Sequence, residues 1–577
     1  MINQFYQQEL TYLRELAVEF SQAHPALAPM LSGPSQDPDV ERLLEGSAFL
    51  TGLVRQKLDD EFPEVVHGLM RLIFPHYLRP LPSTAILVFT PKPGLREPLI
   101  IPAGTSLASV PVDGTKCLFS TCYEVEALPL SIAEARLVDQ PGRPAEISIR
   151  FQLTGLSLEN WPSDKLRLHL SGEFSRAADL YDLLLTKVGR VRVSAGEGGA
   201  TFELNPNRIK PVGLANNESL IPYPSQSFPG YRILQEYFIL PEKFLFLDIE
   251  GLEALRGRGP GREFTLVFEL REKPRLPPVV KKESFNLFAT PIINVFPFDA
   301  EPISLDHRQP EYRVTPAGGK KEHYQVYAVK SVLGFAPGTV KRREYAPFEL
   351  FTPQSENSPV YNITRRISAS SSLVELFLSV AYPPKSGPPQ PETLSISLLC
   401  TNSSLPESLK LGDISQPTST SPELCEFRNI SSPTSMVQPP LGKNVLWRFL
   451  SHLSLNLLSL ADRDNLKALL RLYIFPEGGD RASILANEKR VEGIEGLHLK
   501  SATRLFEGLP IRGQKIKLKL NPDNFASLGD MFLFGTIMDH FLGAYASINS
   551  YTQLKVEDSL KGESYKWPVR LGDRRLI

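Results

Sequence analysis

Helical spacing dominates the first eighty residues of the chain. Ile2, Phe5, Tyr6, Leu10, Leu13, Leu16, Ala17 and Phe20 recur at intervals of three and four, the signature of an amphipathic helix. Pro25 ends that run. Asp37 is placed as an N-cap with Pro38 at the first helical position. A second stripe follows through Val40, Leu43, Leu44, Leu50, Leu53, Val54 and Leu58. A third helix is expected to start at Pro63, carry Val66, Leu69, Met70 and Ile73, and stop at Pro75. The acidic run Asp59, Asp60, Glu61 and Glu64 falls where that start is expected, and acidic groups favour a helix N-terminus. Three such helices make a thin core, so a face left over for helices of another chain is one reading and packing on the next domain is the other.

The period then changes to two. Ile147, Ile149, Phe151 and Leu153 alternate with polar positions, as do Leu166, Leu168 and Leu170. Both read as half-buried strands. Thr105–Val110 and Cys117–Val125 flank Asp113-Gly114, a two-residue hairpin turn. Further strands are expected over 263–270, 323–332, 361–367, 373–380 and 394–401. Near the end the pattern mixes. Trp447, Leu450, Leu453, Leu457 and Leu460 lie on one helical face, and 532–546 is a strongly apolar helix. Between them Lys515, Lys517 and Lys519 alternate with Ile516, Leu518 and Leu520. That strand has one buried face and one lysine face, suited to guarding a sheet edge or to meeting an acidic partner.

Residues 219–252 fit neither period. They carry Tyr223, Phe228, Tyr231, Tyr237, Phe238, Phe244 and Phe246, with Pro222, Pro224 and Pro229 ahead of Tyr231. Proline blocks regular hydrogen bonding, so the first half is a stiff segment that places its rings. Residues 232–240 suit either a short helix or a strand. So much ring area needs a surface, either a seam between two β domains or a partner.

These patterns define an α+β, multidomain chain: β-rich central domains, an N-terminal helical segment and a C-terminal helical and β region. The expected organisation is a helical segment at 1–82, a first β domain at 83–218, the aromatic seam at 219–252, a second β domain at 253–412, a connector at 413–440 and the C-terminal region at 441–577. The connector is assigned from composition, since half of its residues are Ser, Thr or Pro.

Composition excludes several functions. With 63 basic and 64 acidic residues the net charge is −1, so no global attraction to nucleic acid is expected. No apolar run approaches the length of a membrane span, and the first residues lack a basic-then-apolar leader. A cytoplasmic location without direct membrane insertion is the expectation. Cys117, Cys122, Cys400 and Cys425 form no Cys-x-x-Cys pair, so neither a zinc site nor another metal or cofactor is expected. The glycine-arginine stretch 256–262 opens onto a strand rather than a helix, against the geometry of a phosphate loop. His307 between Asp306 and Arg308 reads as a turn histidine. His452 and Ser454 lack an orienting acid and a nucleophile elbow. No catalytic residue is assigned.

Six stretches carry a resemblance. They are DPDVERLLEGSAFLTGLVRQKLDDEFPE from Asp37, YLRPLPS from Tyr77, PSQSFPGYRILQEYF from Pro224 with PEKFLF after it, PIINVFPFDAEPISLDHRQPEYRV from Pro291, the Trp447-Arg and Leu-Ser-His-Leu-Ser-Leu-Asn segment, and WPVRLG from Trp567. In this order they resemble the TssF (ImpG/VasA) family of the type VI secretion system. IPAGTSLASV with CLFST is also similar to wedge proteins of contractile phage baseplates.

The resemblance implies a structural wedge subunit of a cytoplasmic baseplate docked at the inner membrane, where contractile sheath polymerisation starts. It implies TssG-like and TssK-like partners, self-association within or between wedges, and contact with sheath, TssE-like and VgrG-like hub components. No nucleic acid is among them. Candidate interaction residues are Phe5, Leu13, Leu16, Phe20, Leu43, Leu50, Tyr231, Tyr237, Phe238 and Trp447. Two alternatives stay open on the residues alone: a phage-like tail protein, and a multidomain β-rich enzyme acting on glycans.

Overall fold

In the computed structural model, the described residues are 4–25, 38–73, 75–196, 201–223, 227–274, 278–318, 320–338, 342–348, 359–368, 373–383, 390–439, 441, 462–475 and 480–572. Two compact units are present, one taking in Met1–Ile73 and the other Phe74–Pro439 with Ser451–Ile577. The chain is a β-rich α+β protein, with seven α-helices among the described residues.

The first unit is an antiparallel helical hairpin. Helix α1 spans Gln4–Ala23 and α2 spans Pro38–Ile73. The break expected at Pro63 does not occur, and the acidic run lies inside α2 rather than at a helix start. Proline in a helix interior costs about 3 kcal/mol. Here the apolar positions Leu58, Phe62, Val66 and Met70 keep a spacing of four across it. One continuous helix therefore keeps one continuous stripe.

The second unit stacks several sheets. A five-stranded sheet has the spatial order Cys425–Asn429, Thr84–Pro91, Ala289–Ile293, Thr115–Thr121, Ser106–Val112. Its hairpin turns at Asp113 and Gly114, both at positive φ (48° and 84°), as a type I′ turn requires. A second five-stranded sheet centres on Glu263–Leu270, which lies between Val188–Ala195 and Glu146–Leu153. Its alternate residues Phe264, Leu266 and Phe268 are buried. A four-stranded sheet pairs Phe246–Glu250 with Lys165–Leu170.

The stretches read as two β domains share a core. Leu81, Ile86, Tyr123, Leu220, Phe246, Ile293, Tyr327 and Val437 belong to one buried cluster. Asn294 and Asn402 fix the crossing from the first sheet to the eight-stranded sheet that follows. Asn294 Nδ2 donates to the Leu118 carbonyl at 2.7 Å, and Asn402 N donates to Asn294 Oδ1 at 2.7 Å.

The Ser/Thr/Pro-rich segment is extended, as its composition requires, but it is not a free tether. It supplies the edge strand Cys425–Asn429. Its hydroxyls serve as backbone partners for the first sheet. Ser431 Oγ accepts from Ile86 N at 2.8 Å, Thr434 Oγ1 accepts from Thr84 N at 3.0 Å, and Thr418 Oγ1 donates to the Ser106 carbonyl at 2.6 Å. Small hydroxyl side chains satisfy strand edges that composition alone reads as solvated.

The glycine-arginine stretch is tied down too. Arg256 Nε donates to the Trp161 carbonyl at 3.0 Å, and Arg258 lies over the Phe202 ring. Both arginines are committed to this chain's own groups.

Buried histidines give this unit a pH dependence. His169 lies mid-strand against the Phe246 ring, with centroids 4.5 Å apart, and burial lowers its pKa to about 3. The neutral ring therefore contributes stability that is complete above about pH 6.5 and is lost as pH falls toward 3. His76 and His540 are lowered in the same direction by burial. Asp182 and Asp539, raised to about 6 by burial, act oppositely between about pH 6 and 4. Burial raises the pKa of Glu242 as well, and it acts with the two aspartates against the histidines. In His169→Phe the acid limb of the stability profile is expected to be shallower by about 1.4 kcal/mol per pH unit below pH 6. Urea midpoints measured from pH 7 to 4.5 check this. An unchanged slope rejects it.

Candidate assembly surfaces

Small residues hold α1 and α2 together. Ala17, Ser21 and Ala48 are buried. A Cβ built on Gly52 would lie 3.0 Å from Tyr6 N, so the backbones cross closely there. Two ion pairs, Arg14 to Glu41 at 2.8 Å and Arg55 to Glu9 at 2.5 Å, lie along the hairpin.

Such a seam covers little apolar surface, and the large side chains remain outside. Leu43 is 71% exposed and Leu50 65%, and Leu16 and Phe20 are also exposed. Phe5 and Leu13 are half-buried. Tyr12, Val18, Phe49, Leu53 and Val54 extend the exposed set. Tyr12, four residues before Leu16, and Phe49, four before Leu53, border the expected stripes and widen them. A helical pair that is apolar on several sides exposes more than a lone soluble unit ordinarily does.

The aromatic stretch has the opposite fate. Pro229–Ile239 is a helix, α4, following the third helix α3 at Phe174–Asp182. Tyr231, Tyr237 and Phe238 are all buried. They belong to this chain's own core and are not available on its surface. Periodicity does not separate these outcomes, because rings destined for a partner and rings destined for an internal seam look alike in sequence.

The rings meet the C-terminal helices: α5 at Arg463–Arg471, α6 at Arg481–Glu492 and α7 at Leu528–Gly543. Tyr231 stacks on Tyr473, with centroids 5.6 Å apart and planes 12° apart, and its hydroxyl lies 2.8 Å from that of Tyr545. Asp530 accepts from Arg490 Nε at 3.0 Å on both oxygens and from Tyr237 Oη at 3.4 Å. Arg490 Nη1 donates to Asn487 Oδ1 at 2.7 Å, and Asn487 Nδ2 donates to the Phe238 carbonyl at 3.0 Å. This node clamps α4, α6 and α7 together.

On the inner side of α4 sits a buried charged cluster that motif reading passes over. Glu236 accepts from the backbone N–H groups of Leu220 at 2.7 Å and Ile221 at 3.2 Å. It also accepts from Arg232 Nη1 at 3.1 Å and from Lys243 Nζ. Lys243 Nζ donates in turn to the Gly213 carbonyl at 2.8 Å, and Arg232 Nη2 to that of Ala215 at 3.1 Å. All three side chains are buried. Desolvation lowers the Lys243 pKa against the attraction of Glu236. The available signal is Arg232 and Glu236 four apart inside an otherwise apolar helix. Both carboxylate oxygens are used inside the protein, so the cluster holds the fold.

The other residues weighed for chemistry are ordinary. His307 sits in a turn at φ 59°, its Nε2 3.2 Å from the Gln390 carbonyl. Burial pushes the Cys117 thiol up to about 11 and that of Cys400 to about 12. Among the described residues no group of three His, Cys, Asp or Glu is placed to hold a metal ion, and no helix is long and apolar enough to cross a membrane. Trp447, His452 and Ser454 lie outside the described residues.

Residues 1–574 match the family described as type VI secretion system, TssF. Type VI secretion system component TssF1 of Pseudomonas aeruginosa is 32% identical, over 99% of this chain and 98% of its own. A chain in the cryo-electron microscopy structure of the type VI secretion system TssK-TssF-TssG baseplate subcomplex superposes with a TM-score of 0.77 at 25% identity, over 92% of this chain and 99% of that one. A chain in the structure of the baseplate complex from the type VI secretion system shares the fold, with a TM-score of 0.63 at 23% identity, over 99% of this chain and 100% of that one.

Proposed function

Because the chain belongs to the TssF family of the type VI secretion system, we propose that it is a structural wedge subunit of the baseplate, assembling with TssG-type and TssK-type subunits into the platform for sheath polymerisation. The observation that carries this reading is the helical hairpin of the first unit. Its seam is made of small residues while Leu43, Leu50, Phe20 and Leu16 stand exposed. Helices of a partner laid along that hairpin would bury these side chains at about 25 cal/mol per Å² of apolar surface removed from water. The work of the molecule is then burial of surface, with no catalysis of its own. Its place is the cytoplasmic face of the inner membrane, at the docked baseplate. Self-association of two copies through the same helices fits the same surface.

The test is co-expression with a TssG-type subunit, followed by size-exclusion chromatography with mass determination. A complex containing this chain is expected. The double variant Leu43→Asp/Leu50→Asp should elute alone, because each aspartate would enter the apolar contact. Both positions are exposed in the free chain, so its melting temperature should stay within a few degrees of the parent. A double variant that still co-elutes in full rejects the hairpin as the contact. A parent chain that ignores the partner rejects the wedge reading.

A further inference from the structure

The C-terminal sheet has one greasy face and one basic face. Its strands run in the order Ile494–Phe506, Leu509–Leu520, Ser550–Asp558, Ser564–Lys566. Residues directly opposite one another in a ladder share a face, and successive residues alternate. Leu497 opposes Leu518, which lies beside Val556, and all three are buried. The other face follows from the same register. Lys500 opposes Lys515, His498 opposes Lys517, Lys517 lies beside Lys555, and Lys555 opposes Lys566. Lys519 and Arg504 continue it. The carboxylate in register on this face is Glu557, beside Lys519, and it is already committed to Lys517 at 2.7 Å.

Edge protection accounts for Lys500 and Lys566, which lie on the outer strands, but not for the rest of this pattern. A guard against strand addition needs lysine on the edge strand. Here Lys515, Lys517, Lys519 and Lys555 lie on the two interior strands. Like charges placed opposite each other cost stability, so the arrangement is held against a penalty. The chain as a whole is balanced at −1, which makes the excess local. The rings in register on this face, Phe506 and Tyr551, pair with each other at its tip with centroids 5.9 Å apart, and none stands between the lysines to stack bases. The strand Ile494–Phe506 pairs on one side only among the described residues. Its tip adds exposed Leu505 and Leu509.

We propose that this lysine face is a docking surface for an acidic, Asp- and Glu-rich segment of another protein subunit, lying over Lys500, Lys515 and Lys566 where, among the described residues, their charge is unopposed. The assignment rests on the assembly reading only in taking the occupant to be a protein. The surface belongs to the second unit.

The first test needs no partner. Fluorescence anisotropy with a fluorescein-labelled poly-glutamate peptide should show saturable binding to the full-length chain that weakens as added salt shortens the Debye length. The triple variant Lys500→Glu/Lys515→Glu/Lys566→Glu should bind roughly tenfold or more weakly. It should melt no earlier than the parent, since all three positions are exposed and two of them oppose each other. No binding, or equal binding by the variant, overturns the proposal. So does selective binding of the parent to phosphatidylglycerol vesicles over the peptide, which assigns the face to lipid.

The second test uses the complex co-purified with TssG-type and TssK-type subunits, in lipid-free buffer. Acetylation of Lys500, Lys515 and Lys566 should fall roughly fivefold or more against the free chain, while exposed Lys281 and Lys320 keep their rates. Carbodiimide should couple the protected lysines to carboxylates of a partner. Full labelling in an intact complex overturns the docking assignment while leaving the wedge reading standing.

Discussion

Glu236→Ala is expected to destabilise the second unit by about 3–5 kcal/mol, the cost of breaking a buried ion pair from one side. The carboxylate is the shared partner of two buried cations, Arg232 and Lys243, and of two backbone N–H groups. Alanine takes the carboxylate from all four donors and leaves the two cations only backbone carbonyls, among them those of Gly213 and Ala215, with no counter-charge. Both cations are buried, so water cannot replace the lost carboxylate without opening the core. Glu236→Gln keeps one acceptor oxygen and the shape, and should recover part of the loss. Urea unfolding monitored by tyrosine fluorescence measures both variants, and the midpoint should move with little change in slope. A loss under about 1 kcal/mol for alanine would mean that water reaches the cluster, and Glu236 would then not be the group that holds the two cations in the core.

That cluster also shows where sequence reading runs out. Elements set by local period are legible. Glu263–Leu270 alternates in sequence and in burial, Asp113-Gly114 turns a hairpin, and the apolar segment near 532–546 is α7. What cannot be read depends on partners distant in the chain. Pro63 is a breaker by its chemistry, yet the stripe across it favours one helix. The Ser/Thr/Pro-rich segment is polar by composition, and its hydroxyls become the backbone partners of strands more than three hundred residues away. Tyr231 and Tyr237 carry the same ring area whether they meet Tyr473 and Asp530 or another protein. Lys515, Lys517 and Lys519 are visible as a lysine face, whereas Lys500, Lys555 and Lys566 join them only through register. The hairpin residues Leu43 and Leu50 are legible as apolar. That small residues hold the seam and leave them outside is not.

Gly529→Ala is expected to cost about 3 kcal/mol or more, at or beyond the usual range for overpacking. A Cβ at this position would lie 2.2 Å from the carbonyl carbon and oxygen of Ala178 and 2.3 Å from Asp179 N. Those are backbone atoms of α3 and cannot swing aside as a side-chain tip can. The approach is also a bond, since Gly529 N donates to Asp179 Oδ1 at 2.9 Å. To admit a methyl group, α7 must move away from α3. This helix is buried along nearly its whole length, through Phe532, Phe534, Ile537, Met538 and Phe541. The residue after the glycine is Asp530, which holds Arg490 and Tyr237, so a shift of the helix start also loosens the clamp on α4. Gly46→Ala is the matched control. It lies within α2, nothing comes within 4 Å of its built Cβ, and alanine there should stabilise by about 0.5–1 kcal/mol through helix preference alone. Opposite signs for the two substitutions in parallel thermal melts are the expected result. A neutral Gly529→Ala would show that α3 and α7 can separate freely, and the aromatic seam would then have to be held without them.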